Sequence, residues 1–489
     1  MASSNQQPVH HFLLVPLMSQ SHLIPFTDLA KVLADHGQQV TIVMTPLNAA
    51  RFNNAIIDYA MNFNLKIQFL LLSFPGQEAG LPKGCENLDS LPSLDLTAKF
   101  FQASNMLHEP LEKWLQDLES LPSCIISDIC LPWTSDLALK FKIPRVVFHT
   151  VSCFTLLCSH NIKRYEVQDG ITSDSEPVLV PGVPDRIEFT KAQLPESQRK
   201  SSDDLNNLVN QFKEAELSAS AVLVNSFEEM ESGYVKAYQK FVNNLWCIGP
   251  LSLCNETTSN KLRTGNKTSI DEHESLNWLN SHKSRSVIYV CFGSLSHMLP
   301  PQLIELGLGL EASNCPFIWT IKKIDYTPEL EKWFKEQRFE ERIKGRGLII
   351  RGWAPQVQIL SHPATGGFFT HCGWNSTIEG VSAGLPMITW PMFAEQFYNE
   401  KFVVQILKIG VKIGVEVPMN AKVLTVKRED VKKAIKQLVD GGDDAEERRK
   451  RAKKLGEMAK RAVEKGGSSY LNATLLIEHV NQQGKSYQR

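Results

Sequence analysis

At 489 residues the chain is too long for one ordinary hydrophobic core, so two domains are expected. Lys and Arg number 52 against 53 Asp and Glu, a formal net charge of −1, which argues against nucleic acid or an anionic membrane as a partner. Hydrophobic residues at 43% and charged residues at 21% fit a soluble globular protein.

The opening MASSNQQPVHH is polar, and the apolar stretch over 12–18 is too short to span a membrane. It also lacks the basic flank and small-residue cleavage site of a secretory signal. The ten cysteines are scattered without a CxxC pair, and Cys124, Cys291 and Cys372 sit in apolar, strand-like settings. They read as buried free thiols in a reducing compartment, so a cytoplasmic location is expected. The N-x-[ST] triplets at Asn255, Asn266 and Asn375 carry no meaning there.

Short apolar runs over 12–17, 39–45, 67–72, 124–127, 145–148 and 221–225 read as buried strands, with helical stretches such as 24–34 and 96–118 between them. That alternation predicts a parallel sheet covered on both faces. His22 follows the first strand and the turn Met18-Ser19-Gln20-Ser21, just before Leu23-Ile24-Pro25, where Pro25 suits the first turn of a helix. A histidine on the loop after strand one of an α/β domain faces the ligand cleft. Two acids follow the fourth strand: Asp128 at its end, and Asp136 past Leu131-Pro132-Trp133, on a predicted helix. His149 and Thr150 close the fifth strand.

A polar stretch over 254–268 reads as a flexible linker, with Gly249-Pro250 marking its start. The alternation then resumes with strands over 287–292, 317–321, 347–350, 367–370 and 387–390. Two doubly wound α/β domains in tandem, facing each other across a cleft, are the simplest architecture. The expected boundaries are 1–250 for the first domain, 251–275 for the linker and 276–465 for the second, with a last helix over 466–489 opening at Gly466-Gly467. The charge run over 443–465 has its acids first and its bases last, as a solvated amphipathic helix prefers. Gly307-Leu308-Gly309-Leu310 lies in a helical pattern and lacks a third glycine, which argues against a nicotinamide site.

The stretch 353–396, WAPQVQILSHPATGGFFTHCGWNSTIEGVSAGLPMITWPMFAEQ, carries the most chemistry. Its middle is an apolar strand ending in Thr370-His371-Cys372-Gly373, then a helix expected to begin around Asn375 and Ser376, both able to cap it. A strand, a glycine turn and a polar helix N-terminus make an anion site. His371 stands at that mouth as a further donor, and Glu379 lies one turn into the helix. At the end, Glu395 and Gln396 can bond several hydroxyls together. No Asp-x-Asp clamp stands near these positions, which points to a site without a metal.

This segment closely resembles the signature box of the plant small-molecule UDP-glycosyltransferases (family 1) and matches it from first residue to last without a gap. The resemblance runs from the amino-terminal strand and His22 to the carboxy-terminal helix. It implies the two-Rossmann arrangement called GT-B, with an acceptor-binding first domain, a donor-binding second domain, the last helix hinged at Gly466-Gly467 and returning to the first domain, UDP-glucose as co-substrate and no cofactor. Trp353 would stack on uracil, the Ala354 backbone would bond the base edge, and Gln356 and Glu379 would take the ribose. His371, Gly373, Asn375, Ser376 and Ser294 would hold the diphosphate. Glu395, Gln396, Thr150 and the backbone of Trp374 would meet the sugar. Gln at position 396 goes in the family mainly with glucose, where His goes with galactose.

By the same match His22 is the general base, and Asp128, rather than Asp136, holds its far ring nitrogen. The helix N-terminus is expected to lower the pKa of His22 and keep it neutral. His22 would activate an acceptor hydroxyl that attacks the anomeric carbon of UDP-α-glucose opposite UDP, giving a β-glucoside by one inversion. His149 is the alternative base. The acceptor loops over 74–95 and 178–204 fit an apolar pocket. The resemblance leans towards triterpenoid or steroid and flavonoid or phenolic acceptors alike. Another UDP-sugar donor, a nucleotide-sugar epimerase and a non-catalytic binder are the competing readings, and a monomer is expected.

Overall fold

The computed structural model describes residues 8–167, 171, 173–199, 203–255, 272–418 and 426–487. In chain order the strands are β1 (His11–Val15), β2 (Gln39–Met44), β3 (Ile67–Leu71), β4 (Cys124–Asp128), β5 (Arg145–His149), β6 (Pro177–Leu179), β7 (Glu188–Thr190), β8 (Ala221–Val224) and β9 (Asn244–Cys247). The second half adds β10 (Val287–Cys291), β11 (Phe317–Ile321), β12 (Gly347–Arg351), β13 (Thr365–Thr370), β14 (Met387–Thr389) and β15 (Gly410–Lys412).

Among the described residues, seven strands form one sheet in the order β3-β2-β1-β4-β5-β8-β9. Six form a second sheet in the order β12-β11-β10-β13-β14-β15, and every pairing in both is parallel. Their β-branched and aromatic residues are buried on both faces, as parallel sheets between helices require. Each sheet starts in its middle and grows outward in both directions. It therefore has one point, β1/β4 in the first and β10/β13 in the second, where the loops after adjacent strands diverge and leave a crevice.

Several elements differ from the sequence reading. The helix expected over 96–118 is two, Thr97–Asn105 and His108–Gln116. Pro110 has no N–H for the carbonyl of Met106, so the helix cannot run through. The edge strands β9 and β15 and the antiparallel hairpin β6-β7 went unread because each strand is three or four residues long and only partly buried, with neither a period nor a continuous apolar run. All of that hairpin but Pro177 lies inside the stretch 178–204, expected to be loop. Of the expected linker 251–275, residues 256–271 lie outside the described residues; the rest is the 3-10 turn Leu251–Asn255 and the start of the helix Glu272–Asn280.

The glycines at 307 and 309 lie in the helix Pro300–Ala312, where a Cβ on Gly309 would meet Val431 at 2.5 Å, so they serve helix packing. The charge run forms the helix Asp443–Val463, which buries only a small-residue stripe of Ala445, Ala452, Gly456, Ala459 and Ala462. The last helix, Ser468–Tyr487, lies against β9 of the first sheet, tied by Asn472 Nδ2 to Cys247 O at 2.9 Å. All ten cysteines are free thiols. No helix among the described residues is long and apolar enough to cross a membrane.

Candidate active site

The carboxyl ends of the two sheets face one cavity of about 990 Å³. It is lined by all the residues predicted from the sequence: His22, Thr150, Ser294, Trp353, Ala354, Gln356, His371, Gly373, Trp374, Asn375, Ser376, Glu379, Glu395 and Gln396, with the single exception of Asp128, which lies behind His22.

His22 comes from the first turn of the helix after β1 and Asp128 from the end of β4, and β1 and β4 flank the first crevice. Its Nδ1 lies 2.6 Å from Asp128 Oδ2, and Asp128 is wholly buried while His22 is 21% exposed. The Asp128 carboxyl is held below its ordinary pKa: burial pushes it up, but His22 and the N–H groups of Cys130 and Leu17 outweigh that. An ionised carboxylate only accepts, so Nδ1 carries the proton and Nε2 is left as the basic nitrogen. Thr150 Oγ1 lies 3.5 Å from Nδ1.

Two expectations for His22 are corrected. The helix begins at Gln20, so His22 already sits in its first turn and Pro25 lies inside it. The pKa of His22 is raised, not lowered: burial pulls it down, but the charge of Asp128, its hydrogen bond and the charge of Glu395 outweigh that. The rival groups are elsewhere engaged. Asp136 is exposed on the helix Thr134–Phe141, and His149 Nε2 is bonded to the buried Glu216 at 2.7 Å.

At the second crevice Ser294 follows β10 and His371 follows β13. His371 is buried between two glycines, and a Cβ on Gly293 or Gly373 would fall 2.5 Å from its ring. Burial, and then the charge of Lys322, push its pKa down to about 3, so the imidazole is neutral, and its Nδ1 has no partner. The next helix runs Trp374–Ser382 with Gly373 as its N-cap. Asn375 and Ser376 are therefore inside the first turn and do not cap it. Asn375 Nδ2 donates across the cleft to Ser21 O at 2.7 Å, and Ser376 Oγ accepts from Gln356 Nε2 at 3.1 Å. What these residues point at an anion is their backbone N–H groups, at the positive end of the helix.

Trp353 stands after β12, beyond Gly352 at φ +118°. Gln356 Nε2 donates to Glu379 Oε2 at 2.8 Å, which places the expected ribose pair side by side. Burial lifts the Glu379 carboxyl to about 7, with the bond from Gln356 opposing it. Gln396 Oε1 accepts from the N–H groups of Met392 at 2.8 Å and Phe393 at 3.2 Å, so only its NH₂ remains for a ligand. Glu395 is raised by burial, against the N–H of its own backbone and the charge of His22. The Trp374 indole is buried and donates to Asn225 O of the first domain at 2.8 Å, leaving its backbone at the cavity.

Sequence reasoning missed Lys322, Ser21 and Asp89, which also line the cavity. Asp89 accepts from Arg51 at 2.8 Å. Position after a buried strand was the one available signal, and it pointed at Lys322. Among the described residues no group of three or more His, Cys, Asp or Glu is arranged to hold a metal ion.

Residues 122–449 match the family model described as UDP-glucoronosyl and UDP-glucosyl transferase. The chain is 50% identical over 482 residues to UDP-glycosyltransferase 73C3 of Arabidopsis thaliana, covering 97% of each. It is 49% identical over 483 residues to UDP-glycosyltransferase 73C12 of Barbarea vulgaris, again covering 97% of each. The crystal structure of Glycyrrhiza uralensis UGT73P12, complexed with glycyrrhetinic acid 3-O-monoglucuronide, superposes with a TM-score of 0.90 at 38% identity, covering 98% of this chain and 97% of that one. Phytolacca americana UGT2, complexed with UDP-2fluoro-glucose and pterostilbene, gives 0.75 at 26%, covering 97% and 99%. Two facing Rossmann-like domains are thus the GT-B form of an enzyme that uses a UDP-sugar, and the chain belongs to the plant UDP-glycosyltransferase family.

Proposed function

We propose that this enzyme transfers glucose from UDP-glucose to a hydroxyl of a lipophilic plant small molecule, of the triterpenoid or steroid or the flavonoid or phenolic class, and forms a β-glucoside. His22 Nε2 takes the acceptor proton, and the acceptor oxygen attacks the anomeric carbon opposite UDP. Asp128 holds Nδ1–H and stabilises the imidazolium that forms. Trp353 and Ala354 hold the base, and Gln356 with Glu379 holds the ribose. Ser294, His371, Gly373 and the N–H groups of Asn375 and Ser376 hold the diphosphate. Thr150, Trp374, Glu395 and Gln396 hold the sugar. The reading needs neither metal nor cofactor and takes the protein as a cytoplasmic monomer with the domain limits given above.

The observation that carries it is the 2.6 Å contact of His22 with Asp128 at one crevice, across a shared cavity from the donor row at the other. The complexes of UGT73P12 with glycyrrhetinic acid 3-O-monoglucuronide and of the Phytolacca enzyme with pterostilbene support the acceptor class. The test is a screen of hydroxylated triterpenoids, steroids and flavonoids with UDP-glucose and, in parallel, UDP-galactose, read by mass. A gain of one hexose, larger with UDP-glucose, is expected. A larger gain with UDP-galactose would overturn the donor, and UDP release with no modified acceptor would overturn the transfer.

A further inference from the structure

The groups facing the donor diphosphate carry almost no positive charge. His371 is neutral, the hydroxyls of Ser294 and Ser376 are uncharged, and the Asn375 amide is committed to Ser21. An ionised diphosphate brought into this cleft loses water, and neutral donors alone offset that poorly.

Two lysines line the cavity, of which Lys323 is exposed. Lys322 is different: its side chain is 18% exposed and it follows β11 directly. Since β11 is the neighbour of β10, Lys322 stands beside the Ser294 loop at the same carboxyl edge. Its Nζ lies 3.4 Å from Ser294 O and 3.4 Å from Asp325 Oδ2. Asp325 is itself fixed by His297 Nδ1 at 3.1 Å. Both contacts of the ammonium are at the long limit of a hydrogen bond, and an ammonium has three donors. A buried amine held this loosely is placed to bind a stronger acceptor.

We propose that Lys322 is the cation that binds the diphosphate of the UDP-sugar. When the bond from the anomeric carbon to the phosphate oxygen breaks, the electron pair stays on that oxygen, and Lys322 faces the added charge. Asp325 is its positioning residue. The proposal rests on the UDP-sugar donor assigned above.

The test is calorimetric titration of UDP and of uridine into the wild-type protein and the variants Lys322→Met and Lys322→Arg. Lys322→Met should weaken UDP on the order of 10- to 100-fold, the range of a charge-assisted hydrogen bond, and leave uridine unchanged. Lys322→Arg should restore most of the loss. Unchanged UDP affinity in Lys322→Met, while the wild type prefers UDP over uridine, overturns this proposal alone. Equal loss of UDP and uridine, unrescued by Arg, assigns Lys322 to loop packing and also overturns it. A wild type that binds UDP no better than uridine defeats the donor reading as well.

Discussion

The carbonyl of Ser21 and the side-chain amide of Asn375 join the two domains across the cleft at 2.7 Å. Pro25 makes this possible. In the helix Gln20–Asp35 the N–H of residue 25 is the ordinary partner of the Ser21 carbonyl, and proline has none. One turn of the helix that carries His22 is therefore open for the helix that carries the donor N–H groups.

Asn375→Ala should leave that carbonyl without its donor, at a cost of about 1–3 kcal/mol if it stays dry. A lower midpoint in chemical denaturation and a raised KM for the UDP-sugar are expected together. An unchanged midpoint with an unchanged KM would show that the contact does not hold the closed cleft.

The raised pKa of His22 sets the pH dependence. A base must be unprotonated, so the acid limb of kcat/KM should lie above the ordinary histidine value of 6.5. In Asp128→Asn the chief raising charge is gone and burial still lowers, so the limb should move to lower pH. Turnover should fall about 10²–10⁴-fold in His22→Ala, with UDP affinity retained. Asp136→Ala should do neither, because Asp136 is exposed and lies off the cavity.

Glu379 links binding to stability. Its folded pKa of about 7 stands above the ordinary value of 4.5, so the native state binds the extra proton and stability is lost as pH rises from about 4.5 through 7. Glu379→Gln removes this loss, and its amide oxygen can still accept from Gln356. Melting curves should show the variant equal to wild type near pH 4.5 and more stable at pH 8, by about 1–3 kcal/mol. Weaker UDP binding should accompany the gain.

Trp374→Phe keeps a ring in the buried slot and deletes the indole N–H that meets Asn225 O. The orphaned carbonyl should cost about 1–3 kcal/mol, read as a lower denaturation midpoint. An unchanged midpoint would mean that the indole contributes by packing alone.

Much of this protein is determined by local sequence. Buried apolar runs at strand length, separated by helical periods, dictate two parallel sheets, because only strands covered on both faces are continuously apolar. The box 353–396 names the donor row because the residues of such a row lie close in sequence, on successive loops at one sheet edge. The elements β9, β15 and the β6-β7 hairpin were not legible, since they are three or four residues long and only partly buried, and so show neither a period nor a continuous apolar run. The tertiary structure alone decided three things. It brought Asp128 to His22 across a separation of 106 positions. It set the direction of the His22 pKa, because the facing carboxylates outweigh burial. It also took the Asn375 amide from capping to the Ser21 carbonyl and set Lys322 beside Ser294. Each of these depends on charges and donors that meet only when strands distant in sequence become neighbours, and electrostatic and hydrogen-bond energies follow distance in space, not separation along the chain.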